Sequence, residues 1–219
     1  MIQTSNANTI EYHKIETLFE RDKSTFVVDP TKLKSPVLAT IREWDVTEKI
    51  DGTNIRVILS ESGEVSFGGR SNNAQMPGDL FQYLFKTFQQ DKLKSSLWLD
   101  APTDVVLFGE GYGGNIQKGS AYRIDKSFIL FDVLVGGKWW LDREAVNDVA
   151  QKLGIDTVPY LGRMTLDEIV ELVRTPFLSK LGTALAEGIV ARPIETLFDK
   201  RMQRVIIKLK TKDFVSGKR

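Results

Sequence analysis

The segment Glu48-Lys49-Ile50-Asp51-Gly52-Thr53-Asn54 sets a lysine, an acid and a glycine at the mouth of a strand. A lysine amine attacks an electrophile only after losing its proton. Its ordinary pKa of about 10.4 means that a nucleophile working at neutral pH needs surroundings that destabilise the ammonium form. Burial, neighbouring cations and a bound metal ion all act in that direction. The chain offers few other reactive groups, because it has no cysteine and one histidine, His13. Disulfides, thiolate zinc sites and cysteine nucleophiles are therefore excluded. A multi-histidine metal centre cannot be built, and a serine triad would depend on His13 alone. Chemistry is left to Lys, Arg, Asp, Glu or Tyr, with a hard metal ion where a metal is used.

Further candidates follow in order. Phe108-Gly109-Glu110 puts an acid just past a hydrophobic strand, at an edge where a ligand hydroxyl could be met. Phe128-Ile129-Leu130-Phe131-Asp132-Val133 is a buried-type strand carrying two aromatics, and Glu187-Gly188-Ile189-Val190 sets a carboxylate beside a glycine. In Ile206-Ile207-Lys208-Leu209-Lys210 the two lysines have strand spacing, so both side chains leave one face. Two cations on an apolar strand are costly to bury unless a polyanion such as a triphosphate meets them.

The elements that must position these residues are legible from periodicity. Residues 42–49 and 54–59 read as strands around a turn at Asp51-Gly52, and 64–67 as a third strand closed by Gly68-Gly69. Residues 79–88 read as a helix capped by Asp79, with Leu80, Tyr83, Leu84 and Phe88 on one face. Strands at 104–108 and 128–135 precede helices at 142–153, stopped by Gly154, and at 166–173, ended by Pro176. Strands at 187–191 and 204–209 close the chain. Many strands with few crossover helices predict an α+β fold of mainly antiparallel sheets. No linker divides the 219 residues, so a single domain is expected over 1–219, with residues 1–40 left unassigned.

The composition, 42% hydrophobic and 27% charged, is that of an ordinary soluble globular protein. Residues 1–11 lack the basic head and apolar centre of a signal peptide, and no apolar run is long enough to span a bilayer. Net charge is only +1, but it is unevenly spread. Residues 200–219 hold eight basic groups (Lys200, Arg201, Arg204, Lys208, Lys210, Lys212, Lys218, Arg219) against Asp213 alone, leaving the rest of the chain at −6. That asymmetry suggests a local polyanion site; a solvated basic tail reads the charge equally well.

The series K-I-D-G, F-G-E, F-x-x-F-D-V, E-G-I-V and I-K-L-K resembles, in order, the nucleotidyl motifs of the covalent nucleotidyltransferase superfamily of ligases and capping enzymes. The resemblance runs from Lys49 to Lys210, about three quarters of the chain. Within that superfamily the sequence is most similar to RNA ligases of the RNA ligase 2 type. Asn54 stands where DNA ligases and capping enzymes typically have arginine. Gly109-Glu110-Gly111-Tyr112 followed by Ile116-Gln117-Lys118-Gly119 looks like that group's middle segment, and Arg70-Ser71-Asn72-Asn73 like its arginine motif.

The resemblance implies a nucleotidyltransferase (adenylyltransferase) domain of mainly antiparallel sheets with flanking helices. It implies that Lys49 takes AMP from ATP, passes it to a 5′-phosphate RNA end and lets a 3′-hydroxyl displace it. Lys208 and Lys210 would hold the α-phosphate, and Glu187 would bind Mg²⁺ or Mn²⁺, with Asp51 as an accessory acid. Glu48, Asn54, Arg70, Glu110 and Phe131 would join Glu187, Lys208 and Lys210 around the nucleotide. Glu48 would read the adenine amino group, Phe131 would stack on the base, Glu110 would accept from a ribose hydroxyl, and Arg70 would meet ribose or the incoming phosphate. The expected partner is RNA with 5′-phosphate and 3′-hydroxyl ends, including nicked duplex, with no membrane. The expected protein is a cytoplasmic monomer of phage or bacterial type. Lys210 stands nine residues from the C-terminus, so no C-terminal barrel domain is expected and adenylation is better supported than complete end-joining. A minimal DNA ligase is a second enzyme reading, a capping guanylyltransferase a more distant one, and a non-catalytic RNA-end binder an alternative of another class.

Overall fold

The computed structural model describes residues 10–214 apart from 26, 72, 73, 99 and 100. Asn72 and Asn73 of the arginine motif, and Lys218 and Arg219 of the basic tail, lie outside the described residues. In chain order the strands are β1 (Glu16–Thr17), β2 (Phe19–Arg21), β3 (Val28–Leu33), β4 (Trp44–Lys49), β5 (Thr53–Leu59), β6 (Val65–Gly68) and β7 (Val105–Tyr112). They continue as β8 (Ser127–Val135), β9 (Trp139–Trp140), β10 (Asp156–Thr157), β11 (Tyr160–Met164), β12 (Gly188–Pro193) and β13 (Ile207–Lys210). The helices are α1 (Gly78–Thr87), α2 (Gln90–Leu97), α3 (Arg143–Leu153) and α4 (Leu166–Arg174).

The described residues form two compact units, one from 10–12 and 51–158, the other from 13–50 and 159–214. In the first unit a six-stranded sheet has the path β10-β8-β7-β5-β6, with β9 on β8. One face of that sheet packs under the helices. Ile55, Val57 and Leu59 of β5 meet Leu80 and Leu84 of α1, Leu93 of α2, and Val146, Val149 and Leu153 of α3. The other face carries the alternate residues, Asn54 and Arg56 of β5 and Phe108 and Glu110 of β7.

In the second unit a five-stranded sheet runs β1-β13-β12-β4-β11, beside a two-stranded sheet of β2 and β3. Among the described residues only β1 with β13 and β10 with β8 are parallel, so the architecture is α+β with mainly antiparallel sheets, as the strand pattern predicts. The core of this unit joins Trp44 and Val46, Ile189 and Ala191, and Ile207 and Leu209 to Ile169 and Val173 of α4. Ile169 and Val173 are fully buried, each contributing about 1.5–3 kcal/mol, so packing holds α4 more than its intrinsic propensity does. A capping box fixes its start: Thr165 Oγ1 accepts from Glu168 N–H, and the Glu168 carboxylate accepts from Thr165 N–H.

Three expectations need correction. α1 begins at Gly78 behind Pro77, so Asp79 is not the cap; it sits in the first turn, paired with Lys126. β7 does not stop at Phe108 but continues through Glu110 to Tyr112 between β5 and β8, so Glu110 lies inside a central strand rather than past its end. Residues 204–206 precede β13, with Arg204 bridged to Phe198. The segment before residue 40, silent in sequence, supplies β1, β2 and β3.

Candidate active site

In the second unit, β4 alternates: Trp44, Val46 and Glu48 face inward, while Asp45, Thr47 and Lys49 face the other way. On β13, Ile207 and Leu209 enter the core and Lys208 and Lys210 leave it. Register then sets Lys49 of β4 and Lys210 of β13 directly opposite Gly188 of β12, one on either side. Gly188 carries no side chain where the β13 backbone comes close, and Glu187, one residue earlier, sets a carboxylate between the two lysines. Its carboxylate accepts from Lys49 Nζ at 2.5 Å and from Lys210 Nζ through the other oxygen. All three side chains are mostly buried, at 22%, 14% and 23% exposure for Lys49, Glu187 and Lys210.

Burial acts to raise the Glu187 carboxyl, but Lys49 and Lys210 outweigh it and hold the group below the usual carboxylate range. The trio is thus a carboxylate held between two lysine side chains. The Lys210 end of β13 is anchored by Asp213, which accepts from Lys210 N–H at 3.1 Å and from Arg21 of β2 at 2.8 Å. Lys208 lies one strand period before Lys210, paired in register with Val190 and with Thr17 of β1.

Glu48 is 1% exposed on the core side of β4. One carboxylate oxygen accepts from Lys180 N–H at 2.9 Å, and the other, Oε1, meets no donor among the described residues. A buried carboxylate oxygen left without a donor is costly, and a bound donor there would relieve that cost. Asn54 in the first unit repeats the pattern, its buried Oδ1 lacking a donor among the described residues.

In that first unit Asn54 stands opposite Glu110 across β5 and β7. Gly52 makes the turn before them, and a methyl group there would fall 2.4 Å from the Gly111 carbonyl oxygen and 2.8 Å from Glu110 Cγ. The Asp51 N–H donates to the Tyr122 hydroxyl at 3.3 Å, so a tyrosine some seventy residues downstream braces the turn. Phe131 occupies a β-bulge: Phe108 pairs with Asp132 and Gly109 with Leu130, leaving Phe131 without a partner in β7. A bulge re-aims the extra side chain, and Phe131 is half-buried while the other residues from Ser127 to Leu134 are buried. Tyr12 packs edge-on against it at 5.1 Å between ring centroids and donates its hydroxyl to Asp132 at 2.8 Å. Arg70 follows β6, exposed, next to Gly69, whose carbonyl accepts from buried Arg56.

The structure therefore gathers Lys49, Glu187 and Lys210 directly, with Lys208 on the same face and Glu48 on the opposite one. It sets Asn54 beside Glu110 and places Asp51, Arg70 and Phe131 at separate points of the first unit. Sequence reasoning missed Tyr12, Tyr122 and the Lys180 amide. Tyrosines in polar segments and a backbone N–H carry no local pattern. Because the Tyr12 hydroxyl bond is buried, Tyr12→Phe is expected to cost about 1–3 kcal/mol while keeping the ring contacts, a loss of several degrees in a thermal melt.

The fold is α+β with mainly antiparallel sheets, and its second unit brings two lysines to one carboxylate. A family model described as RNA ligase matches residues 42–210, and the chain belongs to that family. No curated protein matches the sequence. Among solved structures the chain is similar to a lysine-to-alanine variant of the Naegleria gruberi RNA ligase with ATP and Mn. That match has a TM-score of 0.66 and 17% identity over 92% of this chain and 61% of the other. It is likewise similar to the Naegleria gruberi RNA ligase with PPi, with a TM-score of 0.64 and 17% identity over 93% and 63%. A lysine-to-methionine variant with AMP and Mn gives a TM-score of 0.62 and 17% identity over 92% and 60%. The chain thus spans about three fifths of the length of the solved structures it matches. Among the described residues no helix is long and apolar enough to cross a membrane.

Proposed function

We propose that this chain is an ATP-dependent RNA ligase working through a lysyl-AMP intermediate. The observation that carries the reading is the Lys49–Glu187–Lys210 cluster around Gly188, inside the region matched by the RNA ligase family. In this reading the Lys49 amine attacks the α-phosphorus of ATP. The N–P bond forms, pyrophosphate leaves, and the amine proton is lost. The RNA 5′-phosphate next takes AMP from Lys49. A 3′-hydroxyl oxygen finally attacks that phosphate, forming the phosphodiester and releasing AMP. Such transfers depend on positioning and charge neutralisation, which Lys208 and Lys210 supply from one strand face.

The Glu48 oxygen that lacks a donor suits the exocyclic amine of adenine, and half-exposed Phe131 suits stacking on the ring. Glu110 and Asn54 take the ribose, Arg70 a phosphate or ribose oxygen, and Asp51 the role of an accessory acid. Among the described residues there is no cluster of three or more metal-ligating acids or histidines. One carboxylate, Glu187, fits a largely hydrated Mg²⁺ or Mn²⁺ rather than a dehydrated cage. When bound, that ion supplies positive charge at the reacting phosphate. The neighbours solved with ATP, AMP and Mn support this choice of nucleotide and metal. We further propose that both units belong to one nucleotidyltransferase domain, acting as a monomer in the cytoplasm on RNA carrying 5′-phosphate and 3′-hydroxyl ends.

The test is incubation of nucleotide-stripped protein with α-labelled ATP and Mg²⁺ or Mn²⁺. A denaturation-resistant label that chases onto 5′-phosphorylated nicked RNA is expected. Absence of any label from ATP would remove the ligase reading in favour of RNA-end binding without catalysis.

A further inference from the structure

Between β12 and β13 the second unit carries a hairpin. Residues 195–203 are all exposed, yet the backbone is tightly tied. Val205 N–H donates to the Leu197 carbonyl at 2.8 Å, Asp199 N–H to Gln203 at 2.8 Å, and Met202 N–H to Asp199 at 3.0 Å. Asp199 Oδ1 accepts from the backbone N–H groups of Arg201 at 2.8 Å and Gln203 at 2.9 Å. Its carboxyl lies below the usual range, chiefly through the Gln203 N–H. Asp199, the acid at the turn, is thus tied into its own loop, while Glu195 lies exposed at the base of the hairpin. Arg201, with its side chain 82% exposed and 3.9 Å from that carboxylate, stands on the outside with exposed Lys200.

Core packing does not account for the composition of this tip. Met202 holds a left-handed backbone, φ 58°, that favours glycine or asparagine, while its side chain is 76% exposed. Phe198 is 48% exposed. The adjoining edge of the same unit adds further cations. β1 runs alongside β13, and its Glu16 bonds to Lys34 and lies within the field of Lys14 and Lys208. Exposed aromatic and thioether groups among cations on a stiff turn match a nucleic-acid backbone with an adjoining base better than they match a protein partner.

We propose that this hairpin, with the Lys14 and Lys34 edge of β1, is the surface that tracks the RNA phosphate backbone, Lys200 and Arg201 meeting phosphates and Phe198 a base. The assignment rests on the RNA reading given above. It is tested by the salt dependence of binding to a 5′-phosphorylated nicked RNA duplex. Each phosphate contact steepens the slope of log affinity against log salt by about 0.9, so the Lys200→Gln/Arg201→Gln pair should flatten it by about 2. Phe198→Ala should weaken binding about tenfold with the slope unchanged. Labelling from ATP should stay at the wild-type level in all of these variants. An unchanged slope in the double variant would overturn the proposal, as would a matching loss of ATP labelling, which would make the hairpin a support of the nucleotide site. Wild-type protein that binds RNA with the expected slope but never labels would leave this surface standing and remove only the ligase reading.

Discussion

Lys49→Arg is expected to fold like the wild type and to take no label from ATP. Arginine keeps the cation and can still reach Glu187, so the ion-pair cluster that ties β4 to the Lys210 end of β13 survives. Guanidinium does not lose its proton in proteins and so cannot attack phosphorus. Lys49→Ala removes nucleophile and charge together. Its stability loss should be about 1–3 kcal/mol, because the pair is mostly buried but Lys210 still answers Glu187. Both variants should lose covalent labelling by about 10⁴-fold or more, the scale of removing a nucleophile. The measurement is autoradiography of denatured protein beside a chemical denaturation curve. A label persisting in both variants would move the nucleophile elsewhere. A loss in the alanine protein alone would make Lys49 a charge rather than a nucleophile.

Much of this arrangement was written in period and spacing. The alternation of Trp44, Val46 and Glu48 against Asp45, Thr47 and Lys49 gives β4 two chemically distinct faces, and the same logic sends Lys208 and Lys210 out of a strand whose other side is core. The order of the motifs carried the superfamily resemblance, and the family match over residues 42–210 spans them all. What stayed illegible is geometric. Phe131 breaks the alternation of β8 through a bulge, and a bulge is defined by the partner strand, not by its own residues. Glu110 read as lying beyond a strand because flanking glycines normally punctuate one, whereas in β7 Gly109 allows close approach of β8: a methyl group there would fall 2.4 Å from the Ile129 carbonyl oxygen. Tyr12 and Tyr122 act through single hydroxyls over long sequence separations, which no local window can reveal.

Gly188 joins the two kinds of information: the sequence shows a glycine after Glu187, and only the sheet shows why. Its φ is +154°, and a methyl group there would sit 2.0 Å from the Leu209 carbonyl oxygen and 2.7 Å from Lys210 Cα. Both obstacles are backbone, so no rotamer change relieves the clash, and β13 must separate from β12 at the Gly188–Lys210 and Ile189–Leu209 pairs. Gly188→Ala is therefore expected to cost about 1–3 kcal/mol from overpacking, with the unfavourable backbone angle added. Its effect on lysine adenylation should be larger than that stability loss implies. Displacing Lys210 by about 1 Å should slow the step around 10²-fold, whereas Lys210→Ala, which removes the cation outright, should slow it by 10²–10³-fold, roughly the worth of one charge-stabilising donor. Denaturation midpoints and labelling rates of the two variants, compared below their unfolding temperatures, decide the point. If G188A matches the wild type in both, the close approach of β13 is not what sets the spacing of the lysines. If it loses stability but labels normally, Lys210 does not act from the position that β13 gives it.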